Sequence, residues 1–156
     1  MRKFMGLLAI LFVVVACSSD DNSSNPPQEA GLVGVWTLLA YNLDQAVDVN
    51  LDGVPSTNVL EEVPCFTSTV VFSSDGSFTS GTNEFEIVIG DIDITVTCGD
   101  QEVLNGTWSL SGNQLTTTVE GESETETINL DGNMFSFVIA DPDFGDGELI
   151  FFRLVE

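Results

Sequence analysis

Every second residue is apolar from Phe85 through Ile87 to Ile89, and again from Ile92 through Ile94 to Val96, with Gly90-Asp91 between the runs. A period of two turns one face of each run to a core and the other to water, and the Gly-Asp pair suits a two-residue hairpin turn. Phe66 to Ser73, Thr107 to Leu110, Phe135 to Ile139 and Leu149 to Val155 are further strand candidates, rich in β-branched and aromatic residues. Turn residues punctuate them at Asp75-Gly76, Gly112-Asn113, Glu120-Gly121-Glu122 and Asp131-Gly132-Asn133. Helix signals are few. Such a chain is all-β, and its consecutive hairpins must bury one face. The expected architecture is an antiparallel up-and-down β-barrel of about eight strands, since closure removes the sheet edges. An open β-sandwich is the alternative.

The first strand-like run, Val33-Gly34-Val35-Trp36-Thr37-Leu38, is echoed 72 residues later as Asn105-Gly106-Thr107-Trp108-Ser109-Leu110. In both copies a glycine permits a turn or a close approach, and a tryptophan two residues on supplies a large apolar anchor.

Three segments divide the chain. Arg2 and Lys3 precede an apolar run of 12 residues, Phe4 to Val15, too short to span a bilayer. Val14-Val15-Ala16-Cys17 closes it and resembles the lipobox of bacterial lipoproteins. That resemblance implies removal of residues 1–16 and acylation of Cys17 as the new first residue, which anchors the protein stably when more than one chain is attached. Residues 17–30 continue through a polar stretch, Ser18 to Ala30, without apolar periodicity, and read as a disordered tether. Thirteen such residues span on the order of 20 Å. Asp20-Asp21 resembles the acidic tag that sends some lipoproteins to the outer face of the outer membrane. The expected location is therefore the cell envelope, in the outer membrane and facing the exterior. Residues 31–156 suffice for one domain with a real core.

Charge narrows the partners. Beyond the leader a single cation, Arg153, stands against 25 acidic residues, a side-chain charge of −24. Nothing would neutralise phosphates, so nucleic acid is excluded as a partner, and membrane contact is expected through the anchor only. The chain has no histidine, and its one lysine is in the leader. The usual general bases and Schiff-base groups are thus missing from the mature protein, and no enzyme is expected. Asp141, Asp143 and Asp146 cluster, but turn chemistry accounts for them.

Leu43 to Pro64 interrupts the strand pattern for 22 residues, long for a connection in a compact domain, and is expected to be functional, a lid, or internally structured. Within it Asp48, Asn50 and Asp52 alternate and Gly53 follows, the spacing by which a tight loop wraps calcium. The Val54 carbonyl and Glu61 or Glu62 would complete the set; a full calcium loop would place glutamate where Val59 stands. An acidic surface turn is the other reading, and no cofactor is required. Asn58 and Glu61 have capping-box spacing, which predicts a short helical turn. With Cys17 used by lipidation, Cys65 and Cys98 are expected to form a disulfide in an exported protein.

From Leu32 to Glu156 the chain resembles the lipocalin-like domains of bacterial surface lipoproteins. The residues that carry the likeness are Gly34 and Trp36, the long loop to Pro64-Cys65, Ser74-Asp75-Gly76, Gly106 to Leu110 and Phe151-Phe152-Arg153-Leu154. The resemblance implies that Arg153 lies across Trp36 and closes one barrel end. It also implies a binding module: an anchored barrel holding a small hydrophobic ligand, whose contact residues the sequence does not name. The alternative is a structural or interaction lipoprotein with a filled barrel and an acidic, calcium-binding loop.

Overall fold

The computed structural model describes residues 31–89, 94–141 and 145–154. Ten strands form one antiparallel sheet: β1 (Gly34–Val47), β2 (Ser56–Asn58), β3 (Ser68–Phe72), β4 (Ser77–Ile89), β5 (Ile94–Ser111), β6 (Gln114–Val119), β7 (Glu122–Thr127), β8 (Asn129–Asp131), β9 (Met134–Asp141) and β10 (Gly145–Leu154). One short helix, α1 (Val59–Glu62), lies between β2 and β3. Along the sheet the order is β7-β6-β5-β4-β3-β1-β10-β9-β8, with β2 paired to β1 off this path. Nearly every strand pairs with its sequence neighbour, and the last strand, β10, pairs with the first. The meander therefore curls round as a barrel would, but the sheet is not closed. β7 and β8, which end it, follow one another in sequence through Ile128.

Alternation sets which face is buried. In β1, Trp36 and Leu38 are buried, then Tyr41 and Leu43, a change from even to odd positions. A bulge between Leu38 and Ala40 in the register with β10 absorbs the switch, leaving Leu39 exposed as the extra residue. Two apolar clusters result. One contains Trp36, Phe72, Phe78, Trp108, Ile128, Phe135 and Phe151; the other contains Tyr41, Leu43, Val49, Val59 and Val63. Aromatic rings fill the first, with Phe135 stacked on Phe151 at 4.8 Å and edge-on to Trp36 at 4.9 Å.

Several boundaries differ from the sequence reading. The first strand does not stop at Leu38 but runs to Val47. The segment from Leu43 is internally structured: β2 folds back on β1, α1 follows, and 48–55 together with Val63 and Pro64 lack regular structure. Asn58 caps α1 by accepting the Leu60 N–H at 3.2 Å, but Glu61 does not reach back to it. Its carboxylate takes the Ser56 hydroxyl at 2.7 Å, and Ser56 takes the Asn58 N–H, so the capping box is not reciprocal. β5, from Ile94, joins the two strands expected at Ile92 to Val96 and Thr107 to Leu110, and Ile92 itself lies outside the described residues. Ile89 pairs with Ile94, while the turn expected at Gly90-Asp91 lies outside the described residues. β6, β7 and β8 are strands between turns that sequence reading did place.

Candidate functional site

One end of the barrel is sealed. Trp36 is fully buried and donates its indole N–H to the Leu32 carbonyl at 2.8 Å. Arg153 places its guanidinium carbon 4.5 Å from the Trp36 ring centroid, and its Nη2 donates to the Gly31 carbonyl. The planar head thus offers its face to the ring and its edge to the backbone, a geometry that suits arginine. Gly34 lies beneath it with φ +145°, a conformation that side-chain-bearing residues rarely adopt. Gly106, the echo of Gly34, serves a different need. A Cβ there would overlap the Thr118 carbonyl oxygen and lie 2.7 Å from the Phe78 ring. Trp108 ties β5 to the β3–β4 turn, its ring N–H donating to the Ser73 carbonyl at 3.1 Å. In the same turn the Ser77 hydroxyl and backbone N–H hold the Asp75 carboxyl below the usual carboxylate range.

The opposite end is open. Phe66, Phe85, Ile87, Ile94, Val96 and Ile139 pack against the Tyr41 cluster yet remain only partly buried. Among the described residues nothing on the sheet covers them fully. A cavity of about 560 Å³ opens beside Phe66 and Phe85, rimmed by Thr82, Asn83, Glu86 and Thr97. The Cys65–Cys98 disulfide, with a Cα–Cα distance of 6.0 Å, pins the exit of the long connection to β5 at this rim. On the chain-entropy account such a crosslink stabilises the fold by roughly 3 to 4 kcal/mol.

The long connection covers part of the open end. Val59 and Val63 are buried beside Tyr41, and Glu62, only 2% exposed, accepts the N–H groups of Val49 at 3.0 Å and Asn50 at 3.3 Å. A buried carboxylate is tolerated where charge-assisted hydrogen bonds replace water. Glu62 therefore pins the acidic loop to α1. Within that loop Asp48 accepts the Gly53 N–H at 3.1 Å, Asn50 the Asp52 N–H at 2.9 Å, and Asp52 the Val54 N–H at 2.8 Å. The second Asp48 oxygen, Oδ1, is buried without a hydrogen-bond partner. Leu51 sits at φ +58° and Gly53 at φ +84°, so the loop is tightly wound. Among the described residues no three acidic, histidine or cysteine side chains converge on one point. Glu61 is engaged with Ser56, and Glu62 is engaged with the loop backbone.

A second opening follows the unclosed seam. A cavity of about 650 Å³ lies between β7 and β9, lined by Thr125, Glu126, Ile128, Leu130, Phe137 and Val138 among others. Sequence reading named none of the mouth or seam residues as a site, and the burial of Glu62 has no sequence signal. Cys17, Asp143 and the whole tether lie outside the described residues, and Asp146 is exposed on β10.

Nine chains of solved structures match. One is a mutant of the fluorescent protein UnaG, 14% identical, with 81% of this chain and 99% of that chain covered and a TM-score of 0.36. No curated protein matches the chain. Residues 32–137, from the helical turn before β1 into β9, match the family of lipocalin-like domains. The chain belongs to the lipocalin-like domain family.

Proposed function

We propose that this protein is an outer-membrane lipoprotein, acylated at Cys17 and facing the exterior, whose barrel holds one small apolar molecule at its open end. The observation that carries the ligand reading is the contrast in burial. Inward-facing Phe85, Ile87, Ile94 and Val96 stay partly exposed at the mouth, although the same alternation buries Trp36 and Phe135 completely at the other end. Each Å² of apolar surface left wet forgoes about 25 cal/mol, and an apolar ligand in the mouth would recover it. Membership of the lipocalin-like family and the cavity at Phe66 and Phe85 support this reading. The lipobox and the acidic tether support the location.

A second reading, a calcium ion in the acidic loop, has Asp48 Oδ1 behind it. This buried oxygen, unpartnered among protein atoms, stands where the alternation of Asp48, Asn50 and Asp52 would direct ligands at a cation.

Native mass spectrometry of the protein taken from its own membrane tests the first reading. The expected species is the chain from Cys17 with acyl chains and one noncovalent small molecule, lost when Ile87→Glu is introduced. An unmodified Cys17 defeats the location; an acylated chain with no bound molecule defeats the ligand.

A further inference from the structure

The seam between β7 and β9 has the geometry of a ladder that stops short. β8 and β9 pair as Asn129 with Ser136, Leu130 with Phe135 and Asp131 with Met134. Continued back through Ile128, that register would set Thr127 opposite Val138 and Glu124 opposite Asp141. Among the described residues no such ladder exists: β7 ends the sheet on one side and β8 on the other. Thr125 to Thr127 on β7 and Ser136 to Val138 on β9 face each other across the 650 Å³ cavity, and among the described residues no neighbouring strand takes up the outer edge of β7 or the edge of β9 beyond Ser136. Two strand edges held apart around a cleft form a template for one more strand.

The charge on β7 says which strand. Leu115 on β6 is buried in the core and pairs with Glu126; Thr117 pairs with Glu124, and Val119 with Glu122. Residues directly opposite share a face, so Glu122, Glu124 and Glu126 all lie on the inner face of β7, at every second position along an edge strand. A second copy of this chain would oppose these glutamates with its own. The tether offers Asp20, Asp21 and Glu29 and no cation, and the only arginine after the leader is committed to Trp36. Neither can occupy the seam without bringing like charges together. At the narrow end Ile128, Leu130 and Phe137 supply an apolar floor.

We propose that the β7–β9 seam binds an extended segment of a partner protein, which adds as a strand, sets lysine or arginine at alternate positions against Glu122, Glu124 and Glu126, and places an apolar residue on the Ile128 floor. Backbone hydrogen bonds to the two edges supply affinity, and the alternating cations fix register. Opposite charges directly across a strand pair are favourable and like charges are not, so register and partner are chosen together. This inference does not depend on the ligand proposed for the mouth.

The test uses the full mature protein and a labelled peptide, Leu-Thr-Lys-Val-Lys-Thr-Lys, whose leucine shares the face of the lysines and so meets Ile128 when they meet the three glutamates, followed by fluorescence anisotropy. Three comparisons accompany it: the same residues with the lysines contiguous, the alternating peptide with alternate backbone nitrogens methylated, and the protein carrying Glu122→Gln, Glu124→Gln and Glu126→Gln together. Losing three surface ion pairs should weaken binding about tenfold. Methylation should abolish it, because charges and side chains remain but the backbone donors do not. Amide exchange in the native protein should slow on binding over Glu122–Thr127 and Phe137–Asp141. Equal binding by the methylated peptide, or unchanged exchange along both edges, overturns strand addition. No binding by the alternating peptide, or dimerisation of the protein through this seam instead, overturns the proposal as a whole.

Discussion

The two ends of this barrel are built from the same strands and differ in what those strands are asked to cover. At the Trp36 end Trp36, Phe72, Phe135 and Phe151 form a continuous aromatic core, and Arg153 lies over the Trp36 ring. At the mouth the inward side chains of β4 and β5 continue the same alternation and pack against the Tyr41 cluster, yet they stay partly exposed. A disulfide and a helix-bearing loop help to hold them there. Stability is therefore concentrated at one end and accessible apolar surface at the other. In a small barrel these demands compete, because a core packed to native density leaves no room for a guest.

Substitution at matched positions gives the strongest way to break this comparison. Trp36→Ala removes a fully buried ring and should destabilise the protein by about 3 to 5 kcal/mol in denaturant titrations. Ile87→Ala at the mouth trims a partly exposed side chain and should cost about 1 to 2 kcal/mol, less than at Trp36 because water already reaches part of the site. If the two losses come out equal, the mouth is packed core and the barrel has no vacancy for a ligand.

Much of the closed end is legible in the sequence. Gly34, Trp36 and Arg153 are singled out by the motif and by the scarcity of cations, and the alternation of Phe85 with Ile87 and of Ile94 with Val96 marks inner faces directly. β7 is not legible as a strand, because Glu-Ser-Glu-Thr-Glu-Thr carries no apolar residue and its pairing depends wholly on β6. The middle of β5, with Asp100, Gln101 and Glu102, is hidden for a related reason: both its faces are exposed, so no burial pattern forms. The bulge at Leu39 moves Tyr41 and Leu43 onto the inner face, where a strict count from Trp36 would put them outside. Glu62 looks like any surface acid, yet it is buried because the loop backbone supplies its hydrogen bonds. Local pattern reports whether a residue suits a buried face. It does not report how far a strand continues once burial has ceased.

Between the two ends in expected effect is the acidic loop that covers part of the mouth. A calcium ion held by Asp48, Asn50, Asp52 and the Val54 carbonyl would give Asp48 Oδ1 a partner and lower the repulsion among neighbouring carboxylates. Extracellular sites need only dissociation constants of about 10⁻⁴ to 10⁻³ M. At about a hundred times that constant, binding to the native state alone adds roughly 2.7 kcal/mol. Thermal melting in calcium should therefore exceed melting in magnesium at matched ionic strength, and Asp48→Ala should erase the difference. Equal shifts with both ions would reduce the loop to screened surface charge, because general screening acts on the −24 total without regard to the ion's size.

The smallest effect sharpens what the closed end owes to chemistry rather than to volume. Arg153→Lys keeps the charge and much of the aliphatic stem that packs over Gly34, and it loses the planar head that lies on Trp36 while bonding Gly31. A cation over an indole contributes about 0.5 to 2 kcal/mol, and a lysine ammonium, more strongly hydrated and without the flat fork, recovers only part of it. The expected loss is about 1 kcal/mol, a fall in melting temperature of roughly 3 to 5 °C for a domain of this size. A double-mutant cycle with Trp36→Phe isolates the pair, since phenylalanine retains apolar bulk and offers a weaker face and no indole donor to Leu32. Coupling of a few tenths of a kcal/mol or more assigns the seal to the stacked pair. Additive losses would assign it to ring burial alone, and the end would then be closed by packing with Arg153 as a passive cover.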